Sequence, residues 1–363
     1  NQKSLRFLLT FALLLAAISQ AAEPFRIYSP SSKNNTLWIV QATPKEDGFE
    51  LKIAKKVKFE FSGRVITAHP SKRLLYVTAT RGDSGNVPGA VVFLNKNGSY
   101  QKHQNINFND GACYLSLDKE NRHILGVSYG NGRLNVYPLD NQGIPGKAIT
   151  TVDEGKREAH CILLPPDGKN IYIPYVKGNL ALLQYGYDGK TGKVTPLEPK
   201  DAKPPLGSGP RHMAYHPTLP MVYFSNEQGI GLSSYRREAN GQLKVEQDIS
   251  ILPPGMSKIG LSASDLLITP DGKFLFAGLR GHRQDFDRIS RYRVLKNGKA
   301  EFIGLTKADK IPWGLTLSPD GKFLLVSATT GASLTAYRIS SNGDLQKVAS
   351  LAWDSGMSDL VTR

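Results

Sequence analysis

A unit of about fifty residues recurs through this chain, marked by a proline that follows a short apolar run. Pro70, Pro166, Pro217, Pro270 and Pro319 fall into one column, with Lys119 standing there in the unit between Pro70 and Pro166. One such unit cannot bury its own apolar face, so copies must stack on one another, and repetition at this period predicts a β-propeller or a linear array. Within each unit an apolar strand leads into a turn, a second strand, a tight turn, a third strand ending in an aromatic residue, and a fourth strand. Asp167-Gly168, Asp271-Gly272 and Asp320-Gly321 follow the first strand, and Asn240-Gly241, Asn297-Gly298 and Asn342-Gly343 come later. These pairs accept the positive φ that tight hairpins demand, so each unit reads as a four-stranded antiparallel meander.

The second strands are nearly continuous apolar runs: Leu74-Leu75-Tyr76-Val77, Ile171-Tyr172-Ile173, Val222-Tyr223-Phe224, Leu275-Phe276-Ala277 and Leu324-Leu325-Val326. Such runs suit strands covered on both faces, as when sheets stack. Phe93, Tyr137, Tyr185, Tyr235, Tyr292 and Tyr337 end the third strands and read as packing elements between neighbouring sheets. Complete units begin near Ser62, Gly111, Glu158, Gly209, Ser262 and Ile311. The stretch from Phe25 to Phe59 holds three strands and lacks the first, while Gly356 to Arg363 offers one strand with nothing after it. Pairing the two completes another blade and closes the ring, leaving no sheet edge open. The expected fold is all-β, a seven-bladed propeller forming one domain over residues 22–363.

Residues 1–21 read as a secretory signal peptide, with Lys3 and Arg6 ahead of the apolar run Phe7 to Ile18 and small residues Ser19 and Ala21 behind it. The run is shorter than the ~20 residues a membrane-spanning helix needs, and no other stretch approaches a span. The mature protein is therefore expected to begin near Ala22 and to be periplasmic or secreted. A formal net charge of +15 attracts anions of any kind. No basic run is interleaved with aromatics, so nucleic acid is not expected as a partner. Cys113 and Cys161 lie one position out of register between consecutive units, and strand alternation aims them at opposite faces, predicting two unpaired thiols.

In a closed propeller the first strand of each blade lines a central channel. Six places before the column proline stand Arg64, Cys113, His160, Arg211, Ser264, Trp313 and, by extension, Ser358. Ten places after it stand Thr80, Tyr129, Val176, Glu227, Arg280 and Thr329. Packing positions stay alike from unit to unit, whereas these columns change chemical type at almost every step, which marks them as a site. The ring holds the carboxylate of Glu227, the imidazole of His160 and the cations Arg64, Arg211 and Arg280, with His212 beside Arg211. Guanidinium groups bind carboxylates and phosphates through paired hydrogen bonds, and a Glu or His beside them can act as general base. The loop from His282 to Asp287 has metal-ligand residue types without calcium-loop spacing, and no phosphate loop, zinc motif or Ser-His-Asp motif is present. Neither metal nor cofactor is expected.

Gly209-Pro-Arg-His-Met-Ala-Tyr-His-Pro217 with Asn226-Glu227, Ala159-His160 before Pro166-Asp167-Gly168, Ala263 to Gly272 with Arg280, and Ser318 to Lys322 resemble the seven-bladed propeller lactonase family. This family includes the propeller-type 6-phosphogluconolactonase and the 3-carboxy-cis,cis-muconate lactonizing enzyme. The resemblance runs over essentially all of the expected mature chain. It implies that His160, Arg211, Glu227 and Arg280 are active-site residues, which coincides with the columns above. The expected activity is that of a monomeric hydrolase of a sugar-acid or related anionic lactone. Glu227 and His160 would be catalytic, and Arg211, Arg280, His212 and Arg64 would bind substrate. Two alternatives stand beside it: a lactonizing enzyme running the ring closure, and a non-catalytic envelope propeller binding a ligand or protein. One departure is Ile311-Pro-Trp-Gly314, where many relatives have an arginine after the proline.

Overall fold

The computed structural model describes residues 23–46 and 48–363, and its strands fall into seven sheets around a central channel. The signal-peptide assignment lies outside the described residues. Six sheets have four antiparallel strands in hub-to-rim order, as in Pro210–Tyr215, Met221–Asn226, Gly231–Arg237 and Leu243–Ser250. The second strands are buried along their length, Leu74–Thr78, Met221–Asn226 and Phe323–Ala328 among them. The outer strands alternate between exposed and partly buried positions, as in Tyr100–Phe108. This gradient is what stacked sheets around a hub require: a strand between two neighbouring blades has no solvent face. Gly168, Gly272, Gly321, Gly241, Gly298 and Gly343 all take positive φ, so the turn chemistry is as the sequence indicates.

The third blade departs from the four-strand expectation. Its sheet has only Asn170–Tyr175, Ala181–Asp188 and Lys193–Asp201, with a single bridge from Ala159 to Tyr175 where the innermost strand should lie. The physical reason is Pro174. The His160 amide donates to the Pro174 carbonyl at 3.0 Å, but proline has no N–H to return, and the ladder stops there.

Neighbouring blades are latched by a repeated contact. Tyr28 donates its hydroxyl to the Gly98 carbonyl (2.6 Å), Tyr76 to Gly143 (2.8 Å), Tyr172 to Gly241, and Tyr223 to Gly298 (2.8 Å). In each case the tyrosine lies in the second strand of one blade and the glycine in the outer hairpin of the next. The third-strand aromatics add to the packing: Tyr137 meets Phe108 of the preceding blade edge-on at 5.1 Å, and Tyr235 meets Phe224 of its own blade at 5.4 Å. Replacing Tyr223 with Phe leaves the buried Gly298 carbonyl unpaired and is expected to cost ~1–2 kcal/mol. Tyr223→Ala also opens a cavity and should cost ~3–5 kcal/mol. Urea titrations of the three proteins check this order.

Ring closure also follows the sequence reading. Val361–Thr362 pairs with Phe25–Ser31, and Arg26 and Arg363 exchange backbone hydrogen bonds at 2.6 and 2.9 Å. Ser29 adds a hydroxyl bond of 2.6 Å to the Asp359 carbonyl. Asp359 in turn reaches across the seam and accepts the Ile66 amide at 2.9 Å, tying the closing blade to the next.

Candidate active site in the central channel

The side chains of the channel are aimed by two local backbone devices. In three blades a left-handed residue stands two positions before the residue that enters the channel: Glu158 (φ 70°) before His160, Gly209 (φ 61°) before Arg211, and Ile311 (φ 61°) before Trp313. Only glycine takes this conformation freely. A β-branched residue such as Ile311 is held there against its preference, here by its amide bond to Asp287 Oδ1 at 2.8 Å. The second device is the β-bulge, which re-aims side chains by inserting a residue into one strand. Register skips occur between Pro210 and Met213, between Ala263 and Leu266, and between Pro312 and Gly314. The consecutive residues Arg211 and His212 therefore both line the channel, which strict alternation would forbid.

The channel has a volume of about 1470 Å³. Because the blades repeat, their innermost strands run in one direction, and residues near the strand starts gather at one end. That end is cationic, with Arg64, Arg211 and Arg280 inside and Arg81, Arg157 and Lys177 around its mouth. Residues near the strand finishes make the other end apolar, with Leu164, Ile268 and Leu317 among them.

Glu227 is the hub of the cationic end. Its Oε2 accepts Arg211 Nε at 2.8 Å and Arg280 Nη2 at 3.4 Å, and its Oε1 accepts Gln228 Nε2 at 3.0 Å. Arg211 is 1% exposed, among the largest side chains the fold hides completely. Trp313 lies amid the cations, its ring 4.4 Å from the Arg280 guanidinium carbon, 5.3 Å from that of Arg64 and 5.9 Å from that of Arg211. An indole offers π-faces to cations that would otherwise repel one another. Three guanidiniums against one carboxylate leave the cluster positive. Burial, then Arg211, pull the Arg280 guanidinium down to about 9, and burial followed by Arg211 and Arg81 lowers Arg64. Arg211 Nη1 and Arg280 Nε are buried without a partner. An anion placed among them would relieve both the repulsion and the unmet donors.

Beside the cations stands a pair of imidazoles. His160 packs edge-on against His212, with 5.2 Å between ring centroids, and against Tyr129 at 5.5 Å. Burial, followed by Arg211 and His212, holds the His160 pKa well below the usual imidazole value. Burial and Arg211 also lower His212, against the opposing pull of Asp265. His212 Nδ1 lies 2.7 Å from Asp265 Oδ1, and Asp265 also accepts the amides of Leu266 at 2.8 Å and Leu315 at 2.9 Å. Burial works to raise the Asp265 pKa, but His212 and these amides outweigh it and hold the group below the ordinary carboxylate value.

All six residues expected from the sequence, Glu227, His160, Arg211, Arg280, His212 and Arg64, line this one channel. Ser264, Val176 and Thr329, which share their columns, do not. Ser264 turns its hydroxyl to the Pro312 carbonyl at 2.7 Å, and Val176 is fully buried. The column argument missed Asp265 and Asp359, although Ser264-Asp265-Leu266 and Ser358-Asp359-Leu360 repeat the same three residues and carried the signal. Cys113 and Cys161 are both free. The loop after His282 is tied into the frame: His282 Nε2 meets Ser262 Oγ at 2.9 Å, and Asp287 accepts the Gly281 and Ile311 amides.

A family model described as lactonase, 7-bladed beta-propeller, matches residues 28–357. The chain is 26% identical over 318 residues to a 6-phosphogluconolactonase of Klebsiella pneumoniae, covering 86% of this chain and 89% of the relative. It is likewise 26% identical over 337 residues to a 6-phosphogluconolactonase of Pectobacterium atrosepticum, covering 91% and 95%. Among solved structures, the periplasmic gluconolactonase of Pseudomonas aeruginosa superposes with a TM-score of 0.82 at 20% identity, covering 94% of this chain and 99% of that one.

Proposed function

The chain belongs to the seven-bladed β-propeller lactonase family, and from that premise we propose that it hydrolyses a sugar-acid or related anionic lactone at the cationic end of its channel. The observation that carries this reading is the convergence of Arg211 and Arg280 on Glu227, with Arg64 and His160 in the same channel, from four blades of the ring. Packing alone has no use for two buried cations on one carboxylate, with a third guanidinium beside them. In the reaction a water oxygen attacks the ring carbonyl, Glu227 orienting the water and His160 taking up its proton. The negative charge that forms on the carbonyl oxygen is met by guanidinium donors already in place. The carbon–oxygen bond of the ring then breaks, and the ring oxygen recovers a proton to give the open hydroxy acid. Arg211, Arg280 and Arg64 hold the anionic substituent and fix the ring against the base, with His212 behind His160. None of these steps calls for a metal or cofactor.

We also propose that the protein is exported, with residues 1–21 removed and residues 22–363 forming the working domain. The description of the Pseudomonas aeruginosa structure as periplasmic supports this compartment. The names of the curated relatives support a phosphorylated gluconolactone as one member of the substrate class.

Ring opening should be followed for neutral aldonolactones and for their phosphorylated or carboxylated counterparts, each against its spontaneous rate. The expected kcat/KM for the anionic compounds exceeds that for the neutral ones by ~10-fold or more, and the advantage shrinks as salt screens the mouth of the channel. Rates indistinguishable from spontaneous opening for every compound would sink the hydrolase reading.

A further inference from the structure

We propose that Asp265 and His212 form a relay behind His160, so that the proton taken from the attacking water is passed away from the substrate and its charge is held by Asp265. The inference rests on the hydrolase reading above and deepens it. It starts from a mismatch in hydrogen bonding: His160 Nδ1 and His212 Nε2 are both buried and have no partner, although their rings are in edge contact with centroids 5.2 Å apart. Buried ring nitrogens are seldom left unmet without a function. A small rotation of one ring, or a single bridging water, joins the two.

The tautomers follow from Asp265. Its Oδ1 and Oδ2 already accept the backbone amides of Leu266 and Leu315, so it stays a carboxylate and can only accept from His212 Nδ1. His212 therefore carries its proton on Nδ1 and offers the lone pair of Nε2. That lone pair accepts from Nδ1–H of His160, which leaves the His160 Nε2 lone pair for the channel. Both oxygens of Glu227 are meanwhile engaged by Arg211, Arg280 and Gln228. In the hydrolytic step the water proton moves to His160 Nε2 as the oxygen–carbon bond forms, and the His160 Nδ1 proton moves to His212 Nε2. The resulting His212 imidazolium is neutralised by Asp265 at 2.7 Å. Both transfers reverse when the ring oxygen leaves and is protonated. Asp265 touches no substrate and is a positioning residue.

Asp265→Asn is the informative variant. With its oxygen on the Leu315 N–H, the amide presents its NH2 to His212, which forces the imidazole into the other tautomer and reverses the relay, and the bond from the Leu266 N–H is lost. The expected result is a loss in kcat on the order of 10²-fold with KM changed less than about threefold, because the anion-binding arginines are untouched. The acid limb of the kcat/KM profile should also move to lower pH, since a carboxylate that favours the protonated imidazoles is gone. The other groups facing the two rings, Arg211, Arg280, Glu227, Cys113, Tyr114 and Tyr129, are the same in both proteins. Asp265→Glu should restore part of the rate.

Nitrogen-15 NMR of labelled histidine supplies a readout independent of turnover. In the resting wild type both His160 and His212 should be protonated on Nδ1, and in Asp265→Asn both should switch. A switch of His212 alone, or turnover of Asp265→Asn at the wild-type rate with an unmoved pH profile, overturns the relay. Absence of lactonase activity in the wild type sinks the hydrolase reading instead, and the NMR arm still decides whether the two rings are linked.

Discussion

Glu227→Gln should lower kcat on an anionic lactone by on the order of 10²-fold or more while binding the ring-opened acid more tightly than the wild type does. The two effects have one cause. Glu227 orients the attacking water in the proposed reaction and is also, among the described residues, the sole counter-charge bonded to Arg211 and Arg280. Removing its charge weakens the activation of the water but frees two guanidiniums to pair with a ligand carboxylate. The variant keeps an amide oxygen for Arg211 Nε, so it should fold, although an uncompensated buried cation pair is expected to cost ~3–5 kcal/mol. Calorimetric titration with the product, run beside the rate assay, separates this signature from simple damage. A variant that is inactive and also binds the acid less well than wild type would show that Glu227 shapes the pocket and does not compete with the substrate.

Asp359→Asn should make the protein more stable, and only at neutral to alkaline pH. Burial, opposed by the Ile66 amide and reinforced by the nearby Asp265 charge, raises the Asp359 pKa to about 7. A carboxyl group raised above its unfolded value of 3.8 binds its proton more tightly when folded. Its favourable contribution is therefore complete below pH 3.8 and is lost as the pH rises through about 7. At one pKa unit per ~1.4 kcal/mol the loss by pH 8.5 is ~4 kcal/mol at most, and water in the channel reduces it because the side chain is partly exposed there. Asn carries no charge, so the gap in melting temperature between variant and wild type should be several degrees at pH 8.5 and near zero or reversed at pH 4.5. In acid the second accepting oxygen, which serves the Leu360 amide at 2.9 Å, is missed. A gap of the same size at both pH values would refute the assignment.

Most of the fold was legible in the sequence because a propeller writes its architecture several times over. The proline column, the hairpin glycines and the apolar second strands each mark a place in the blade, and agreement among copies compensates for weak local signals. The ends were legible for a related reason: three strands lacking a first and one strand lacking followers have a single economical pairing, and Ile27 with Thr362 and Tyr28 with Val361 are its register. The third blade was less legible. Pro174 sits in a run that reads as ordinary strand, and its missing amide matters only to the segment of His160, which is distant in sequence.

The site was legible in composition and less so in aim. Counting from a column proline assumes an unbroken period of two, and the bulges at Arg211-His212 and Ser264-Asp265 break it. The method therefore selected Ser264, which turns to a neighbouring backbone, and passed over Asp265, which meets His212. A bulge leaves no residue type of its own in the sequence. Its trace is the glycine or strained residue ahead of it, and Gly209 and Ile311 are such traces. Gly209 could not be replaced even by alanine without displacement, since a Cβ there would lie 1.8 Å from Gln228 Oε1.

The seam between Val361–Thr362 and Phe25–Ser31 sets an order of assembly. Strands near the beginning of the described chain must wait, one strand short of a complete sheet, until residues more than three hundred positions later have been made and delivered. Cooperative locking of the wheel is then a late event, governed by the slow search of distant segments for each other. During that interval the hydrophobic flank of Phe25–Ser31 is unguarded, so dilution or a holding chaperone should improve refolding yield more than any change to the catalytic residues.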